Sequence, residues 1–415
     1  MSSVYDVIVV GGGASGLVAA ATAAKGGCSV LLAEKMEKCG RKIRITGKGR
    51  CNITNMSAPD VFLAKVRSGA DFVRFSLEAL SPFDVRDMLE AAGVRTVEER
   101  GRRLFPASGK AFDVADALVD MAYESGVQVE CHCQVTAITR DGNIWRVDME
   151  RRSVMARNVV IATGGVSYRA TGSTGDGYLF AHRLGHTIVP LRPSLVSLKV
   201  DAPIFARVHE NLRNVALTLV VEHREVACQM GEMTVNGDVL EGAIVLRLSR
   251  DAVDALTDKK RAELRLSLKP ALTQAKLVAR IVREVETDGS LTVEGLLRRM
   301  VPRSLVRPVA VASGVATASR VKTLSQHERV RIADTLLCMV LPLVDYGGFA
   351  EAVTTAGGVS LDEVDPLSMQ SLKAPGIYFT GETLDIDADT GGYNLQLAFS
   401  TGYLCGKHIA SQCKE

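Results

Sequence analysis

Apolar and polar positions along the chain fall into stretches of contrasting period. Residues 4–10 form a β-branched run with one aspartate, the pattern of a parallel strand buried on both faces. Gly11-Gly12-Gly13 breaks that run. The Ala-rich segment Ala14–Lys25 predicts a helix ended by Gly26-Gly27, and residues 29–33 predict a second buried strand. The chain therefore opens on a βαβ unit. Residues 35–55 show no clear period and read as a long ordered loop with room for a short helix. Residues 72–92 read as a helix, 94–105 as a strand pair ending at Pro106, and 111–125 as a helix stopped by Gly126. Residues 127–131, 135–139 and 145–149 alternate as strands do, with an Asp141-Gly142 turn before the last. Residues 158–162 predict another buried strand, which runs into Thr163-Gly164-Gly165.

After Pro190 the pattern changes. Residues 197–200, 216–222, 225–230 and 243–246 alternate over short lengths and predict an antiparallel β module. Residues 251–335 carry Leu, Ala, Arg and Lys at helical spacing and predict a small helical subdomain, and 338–355 return to strands. The last sixty residues read as a strand at 376–380, a Gly/Asp-rich loop, and a helix over about 392–409.

Composition narrows the class. The 415 residues are 47% hydrophobic and 23% charged, ordinary for a soluble globular chain of two to three domains. A net charge of +3 excludes a globally basic nucleic-acid binder but leaves room for a local patch. The uncharged stretch 7–24 is long enough to raise a membrane span, but its four glycines fit a strand–turn–helix better. Asp6 comes before this stretch with no basic region ahead of it, which speaks against a secretory signal. The nine cysteines include no CxxC, and Cys131 and Cys133 make only CxC, so a reduced, cytoplasmic protein without a zinc site is expected.

The chemistry begins at Gly11-Gly12-Gly13-Ala14-Ser15-Gly16, a G-x-G-x-x-G between strand and helix. Gly11 permits the tight turn, Gly13 leaves room for a pyrophosphate, and Gly16 lets helix and strand pack closely. The N–H groups of Ala14 and Ser15 lie at the helix N-terminus, where phosphate is favoured. Glu34 ends the second strand, where a carboxylate can accept both hydroxyls of an unphosphorylated adenosine ribose; this favours FAD or NAD over NADP.

Three further segments favour FAD. Between Lys35 and Arg50 stand seven basic residues (Lys35, Lys38, Arg41, Lys42, Arg44, Lys48 and Arg50) and one acid, Glu37. Such a loop can neutralise a pyrophosphate, and the interleaved Thr46, Gly47, Gly49, Cys51 and Asn52 suit close contact with a flat ring. Thr163-Gly164-Gly165 follows a buried strand. Gly381-Glu382 follows the last strand, with Asp385 in the loop beyond, and Gly391-Gly392-Tyr393-Asn394-Leu395 opens the final helix. That helix can aim its positive end at an anionic reduced flavin.

Together the segments VIVVGGGASGLVAA, GRKIRITGKGRCNITN, RRLFPASGKA, VVIATGG, VTTAGGV and YFTGETLDIDADTGGYNLQLAFSTG resemble the HI0933-like, or aminoacetone-oxidase-like, FAD-binding flavoproteins of the two-dinucleotide-binding-domain superfamily. The resemblance spans residues 4 to 405. It implies noncovalent FAD and places the Val135 backbone near the adenine. The expected fold is α/β. A discontinuous Rossmann-like FAD-binding domain (1–190 and 351–415) would hold an inserted antiparallel β module (191–250 and 336–350) and a small helical subdomain (251–335). Many family members carry Phe-Thr-His…Ser-Gly-Pro where this chain reads Met233-Thr-Val-Asn-Gly-Asp-Val-Leu-Glu-Gly-Ala243, which marks a separate subgroup whose substrate does not carry over.

Other signals carry less. Asp385-x-Asp387-x-Asp389 lacks the glycine and glutamate of a calcium loop, and His182 with His186 lacks a third ligand. Cys51 reads as a small packed residue rather than a redox thiol. No second G-x-G-x-x-G follows a strand, so either NAD(P)H binds transiently at the flavin face or the substrate itself reduces the flavin. The expected function is an FAD-dependent oxidoreductase of a small molecule, by amine oxidation or reduction of an activated double bond, with substrate stacked on the flavin beside the inserted modules. The alternatives are a flavin-dependent RNA-modifying enzyme reducing a pyrimidine base, gripped by the 35–50 and 259–303 basic segments, and a non-catalytic FAD-binding redox sensor. No catalytic acid or base is legible, nor is the oligomeric state.

Overall fold

A computed structural model describes residues 4–413, and its contacts divide the chain into two compact units: Met1–Pro193 with Val353–Glu415, and Ser194–Ala352.

The first unit is built on a seven-stranded sheet. Its parallel part runs in the order Gln128–Glu130, Val30–Ala33, Tyr5–Val10, Ser153–Ile161, Ile377–Phe379. The strand Ser153–Ile161 serves two neighbours on one edge. Its first half pairs antiparallel with Ile144–Met149, which continues the sheet to Val135–Asp141, and its second half pairs parallel with Ile377–Phe379. Val7, Ile8, Val9, Leu31, Leu32, Val159, Val160, Ile377 and Phe379 are buried, as expected of strands covered on both faces. The helix Ala14–Lys25 packs against the terminal helix Tyr393–Gln412 through small residues. A Cβ on Gly402 would lie 2.3 Å from the Ser15 carbonyl oxygen, so only glycine permits this approach.

The second unit is a closed antiparallel barrel of six strands: Leu198–Val200, Val239–Glu241, Arg224–Asn236, His209–Val221, Ala262–Ser267 and Met339–Tyr346, the last pairing back to the first. Leu217, Leu219, Leu264 and Leu266 of the strands share one core with Ile244, Leu248, Leu305 and Leu336 of the helices.

Several elements differ from the sequence reading. Residues 72–92 form two helices, Ala70–Ala79 and Pro82–Ala91, because Ser81 caps the second: it accepts from Asp84 N–H, and the Asp84 carboxylate accepts from Ser81 N–H at 2.7 Å. Residues 243–246 are not a strand but the first turn of the helix Ala243–Thr257, whose buried Ile244, Leu248 and Ala252 repeat every four residues. The segment expected to be all helical contains the barrel strand Ala262–Ser267. Nor are all cysteines reduced: Cys28 and Cys413 are joined by a disulfide, while the other seven are free thiols. Among the described residues no helix is long and apolar enough to cross a membrane, and no His/Cys/Asp/Glu cluster could hold a metal ion.

Candidate functional site

The sequence-derived candidates gather at the carboxyl ends of the parallel strands, where open α/β sheets bind ligands. Gly11 has φ +106°, and a Cβ there would lie 2.6 Å from the Ala162 carbonyl oxygen, so the first turn is pressed against the end of Ser153–Ile161. Gly16 is closer still: its Cβ would fall 2.0 Å from the Gly11 carbonyl oxygen. Gly13, the N-cap, differs from both. Its backbone is extended and a Cβ would meet nothing within 4 Å, so the space beside it is open. The N–H groups of Ala14, Ser15 and Gly16 lie in the first helical turn, which has no intrahelical acceptors for them.

Glu34 ends Val30–Ala33 and turns back to this helix start. Its Oε2 accepts from Gly12 N–H and its Oε1 from Met36 N–H, both at 2.8 Å. Each oxygen keeps a second lone pair for a hydroxyl. Cys133 N–H donates to the Glu34 carbonyl at 2.9 Å, which brings the start of the buried Val135 strand to the same edge.

Within the basic segment the short helix has a definite place. Residues Arg41–Gly49 are helical, with a kink at Thr46, Gly47 and Lys48. The segment's charge is not free for a pyrophosphate. Lys35 pairs with Asp176, Arg41 with Glu37, Lys42 with Glu382, Arg44 with Asp116 and Arg50 with Glu99, so five of the seven cations already face carboxylates. Spacing alone showed the net charge but not these partners, most of them distant in sequence.

Beyond the kink, Cys51 is buried with φ +56°, and burial pushes its thiol up to about 12, which fits a packed residue rather than a reactive one. The Thr46 hydroxyl donates to the Ile43 carbonyl at 2.7 Å, and Gly49 faces open space. Asn52 Oδ1 and Thr163 Oγ1 are buried without a hydrogen-bond partner, as are Arg44 Nε, Thr380 Oγ1 and Thr383 Oγ1, and Thr163 Oγ1 packs against Gly177.

Thr163-Gly164-Gly165 continues from the central strand to a charged network. Lys42 Nζ donates to Ser167 Oγ and to Glu382 Oε2, each at 2.6 Å. Glu382 Oε1 accepts from Ser167 Oγ–H at 2.8 Å and from Thr355 N–H at 2.6 Å. Burial would raise the Glu382 carboxyl, but the Lys42 ammonium and these donors hold it below the usual carboxylate range. A Cβ on Gly165 would lie 2.3 Å from Thr355 Oγ1 and 2.7 Å from Glu382 Oε1. Ser167, Thr355 and Tyr178, whose hydroxyl donates to the Glu382 carbonyl at 3.0 Å, were not singled out in the sequence. No local spacing links them to Lys42.

The remaining candidates divide into lining and scaffold. Gly381 lies against Ser15, where its Cβ would come within 2.7 Å of Ser15 Oγ. Gly391 and Gly392 precede the terminal helix, with Gly392 tight against the Thr54 carbonyl. The Asn394 amide is spent on the backbone of Ala388, which it brackets at 2.9 and 2.8 Å, and Asp385 Oδ1 accepts from Gly357 N–H at 3.1 Å. Both side chains therefore help to shape the loop, and Leu395 packs partly against the core.

Comparison with known proteins follows the same outline. The profile of the HI0933-like protein Rossmann domain matches residues 5–408. A 3-dehydro-bile acid delta(4,6)-reductase of Clostridium scindens is 31% identical over 414 residues, covering 97% of this chain and 98% of its own. A ribosomal RNA dihydrouridine synthase of Escherichia coli is 27% identical and covers 98% of each chain. Among solved structures, 3-ketosteroid delta1-dehydrogenase from Sterolibacterium denitrificans matches with a TM-score of 0.53 at 15% identity, over 99% of this chain and 100% of that one; at that identity the likeness is one of fold.

Proposed function

The chain belongs to the HI0933-like family, and from that premise we propose that it is an FAD-dependent reductase acting on an activated carbon–carbon double bond of a small molecule. It is an oxidoreductase; the substrate and the cofactor contacts are the proposal. The observation that carries it is the near-full-length relationship to a reductase named for double bonds of a 3-oxo bile acid. Amine oxidation, the other chemistry open at the outset, has no counterpart among these relatives.

The residues present fit an extended dinucleotide. Glu34 offers a lone pair on each oxygen to the adenosine ribose, with Val135 beside the adenine edge. The open space at Gly13 and the N–H groups of Ala14, Ser15 and Gly16 suit the pyrophosphate. When bound, the isoalloxazine supplies hydride transfer, and the protein's part is to bind, orient and exclude water. A transient NAD(P)H donor belongs to the same proposal.

The test is anaerobic. Photoreduced holoprotein is mixed with ring enones of graded size, with simple amines tested on the oxidised form. The expected result is reoxidation by conjugated enones and no reduction by amines. Reduction by an amine, with no response to any enone, overturns the assignment.

A second reading, reduction of a pyrimidine base in structured RNA, is favoured by the relative named for ribosomal RNA. The charges are divided. Five cations of the 35–50 segment face carboxylates, as do Lys260, Arg265, Arg280, Arg298 and Arg299 of the 259–303 segment, whereas Lys259, Arg261, Lys269, Lys276, Arg283 and Arg303 make no ion pair among the described residues. Weak RNA binding that falls steeply with salt is expected; tight, selective binding at physiological salt would instead establish this reading.

A further inference from the structure

Like Lys35, which holds Thr174 and Asp176, Lys42 has its ammonium tied at two points, to Ser167 and to Glu382. What sets Lys42 apart is its partner: Glu382 follows the last parallel strand and is itself held by Ser167 and Thr355. The Lys42 side chain is 23% exposed and that of Glu382 17%, so the pair sits largely out of water while one N–H of the ammonium has no acceptor among the described residues. A lysine on the surface would sample many rotamers; this one is fixed in direction.

Its place in the sheet gives that direction meaning. Along the parallel strands the order is Val30–Ala33, Tyr5–Val10, Ser153–Ile161, Ile377–Phe379. Glu34 follows the first of these and Glu382 follows the last, so three strand spacings, roughly 14 Å, separate the two carboxylates across the cleft. A dinucleotide with its ribose at Glu34 and its pyrophosphate at Gly13 has its other end on the side of Lys42. Glu382, already receiving three donors, is not poised to give or take a proton. Its effect is to hold the ammonium.

We infer that Lys42 is the charged group that faces the redox end of the cofactor and stabilises the negative charge arriving with two electrons, and that Glu382, Ser167 and Thr355 are its positioning residues. This rests on the FAD reading above. In a site screened from water, a fixed ammonium favours the anionic ring far more than it would in bulk solvent. It makes the bound cofactor a better electron acceptor.

The probe is sulfite, whose lone pair forms a bond to flavin N5 and leaves its electron pair on the ring as an anion, with no leaving group. The dissociation constant of that adduct and the flavin reduction potential are measured on holoprotein. Lys42→Met is expected to weaken the adduct by about 100-fold and, at 29.6 mV per tenfold for a two-electron couple, to lower the potential by about 60 mV. Lys42→Arg should restore most of both. The double variant Lys42→Met/Glu382→Gln removes the pair without leaving a carboxylate unpaired; it should still weaken the adduct relative to wild type, but less than Lys42→Met, whose unpaired carboxylate also repels the anion. Ser167→Ala, which changes no charge, should weaken the adduct by roughly three- to tenfold through looser positioning. If these variants hold FAD with wild-type sulfite affinity and potential, the inference fails while the FAD reading stands. The same holds if Lys42→Met folds but loses FAD altogether, since the charge then serves retention and not redox tuning. Wild-type protein that holds no flavin overturns the reading beneath it.

Discussion

Gly13 and Gly16 stand three residues apart, yet their structural surroundings predict opposite consequences for the same substitution. At Gly16 an added Cβ would lie 2.0 Å from the Gly11 carbonyl oxygen and 3.2 Å from Ala162 Cβ. Restoring ordinary contact requires the helix Ala14–Lys25 to move by about 1 Å against a close-packed sheet, an overpacking cost of about 1–3 kcal/mol. At Gly13 the Cβ meets nothing, and φ is −82°, which alanine adopts freely. The fold should lose no more than about 1 kcal/mol there, the scale of a weaker N-cap. The cofactor should suffer instead, because the methyl stands where the phosphate approaches the helix N-terminus. Losing one charge-assisted hydrogen bond costs about 1.5–3 kcal/mol, which is roughly ten- to hundredfold in affinity. Apoprotein unfolding in urea, paired with titration of FAD by fluorescence quenching, separates the two. Gly16→Ala should lower the unfolding midpoint clearly; Gly13→Ala should leave it nearly unchanged while weakening FAD. A Gly13→Ala protein that binds FAD as tightly as the parent would refute the placement of the pyrophosphate. A Gly16→Ala protein with unchanged stability would refute the packing argument.

Other consequences can be checked more briefly. Glu34→Ala removes the acceptor of two backbone N–H groups as well as the ribose partner, so both apoprotein stability and FAD affinity should fall, each by about 1–3 kcal/mol; loss of stability alone, with FAD unaffected, would place the ribose elsewhere. Cys51, buried and with its thiol pushed up to about 12, should resist maleimide at mildly alkaline pH until urea unfolds the chain, whereas exposed Cys228 should label at once; peptide mapping of the adducts decides this. Burial opposes ionisation of Glu363, but Lys373 and Thr187 bring its carboxyl down from 4.5 to about 2. A carboxyl lowered in the folded state contributes stability above its unfolded pKa and loses it as pH falls through the folded one. The melting temperature of the wild type should therefore fall between pH 4.5 and 2 more steeply than that of Glu363→Gln, and parallel curves would argue against this clamp.

What could be read along the chain is what short-range physics controls. The buried β-branched strand, the glycine turn, the Ala-rich helix and the acid at the end of the next strand occupy the first thirty-four residues, and each depends on neighbours a few positions away. The terminal helix was legible for the same reason. Short apolar runs were not: residues 243–246 fit a strand or a helix equally, and only the core they face selects the helix Ala243–Thr257. The barrel strand Ala262–Ser267 was missed because its partners, His209–Val221 and Met339–Tyr346, lie far away in sequence. The site divides along the same line. Composition revealed a positive segment at 35–50, but its neutralisation belongs to the tertiary structure, which alone sets Lys42 beside Glu382, 340 positions on, and Cys28 beside Cys413. The sheet is the physical reason. Strands from the beginning, middle and end of the chain lie side by side in it, so their carboxyl ends, and the charged groups that follow them, meet only once the whole first unit has folded.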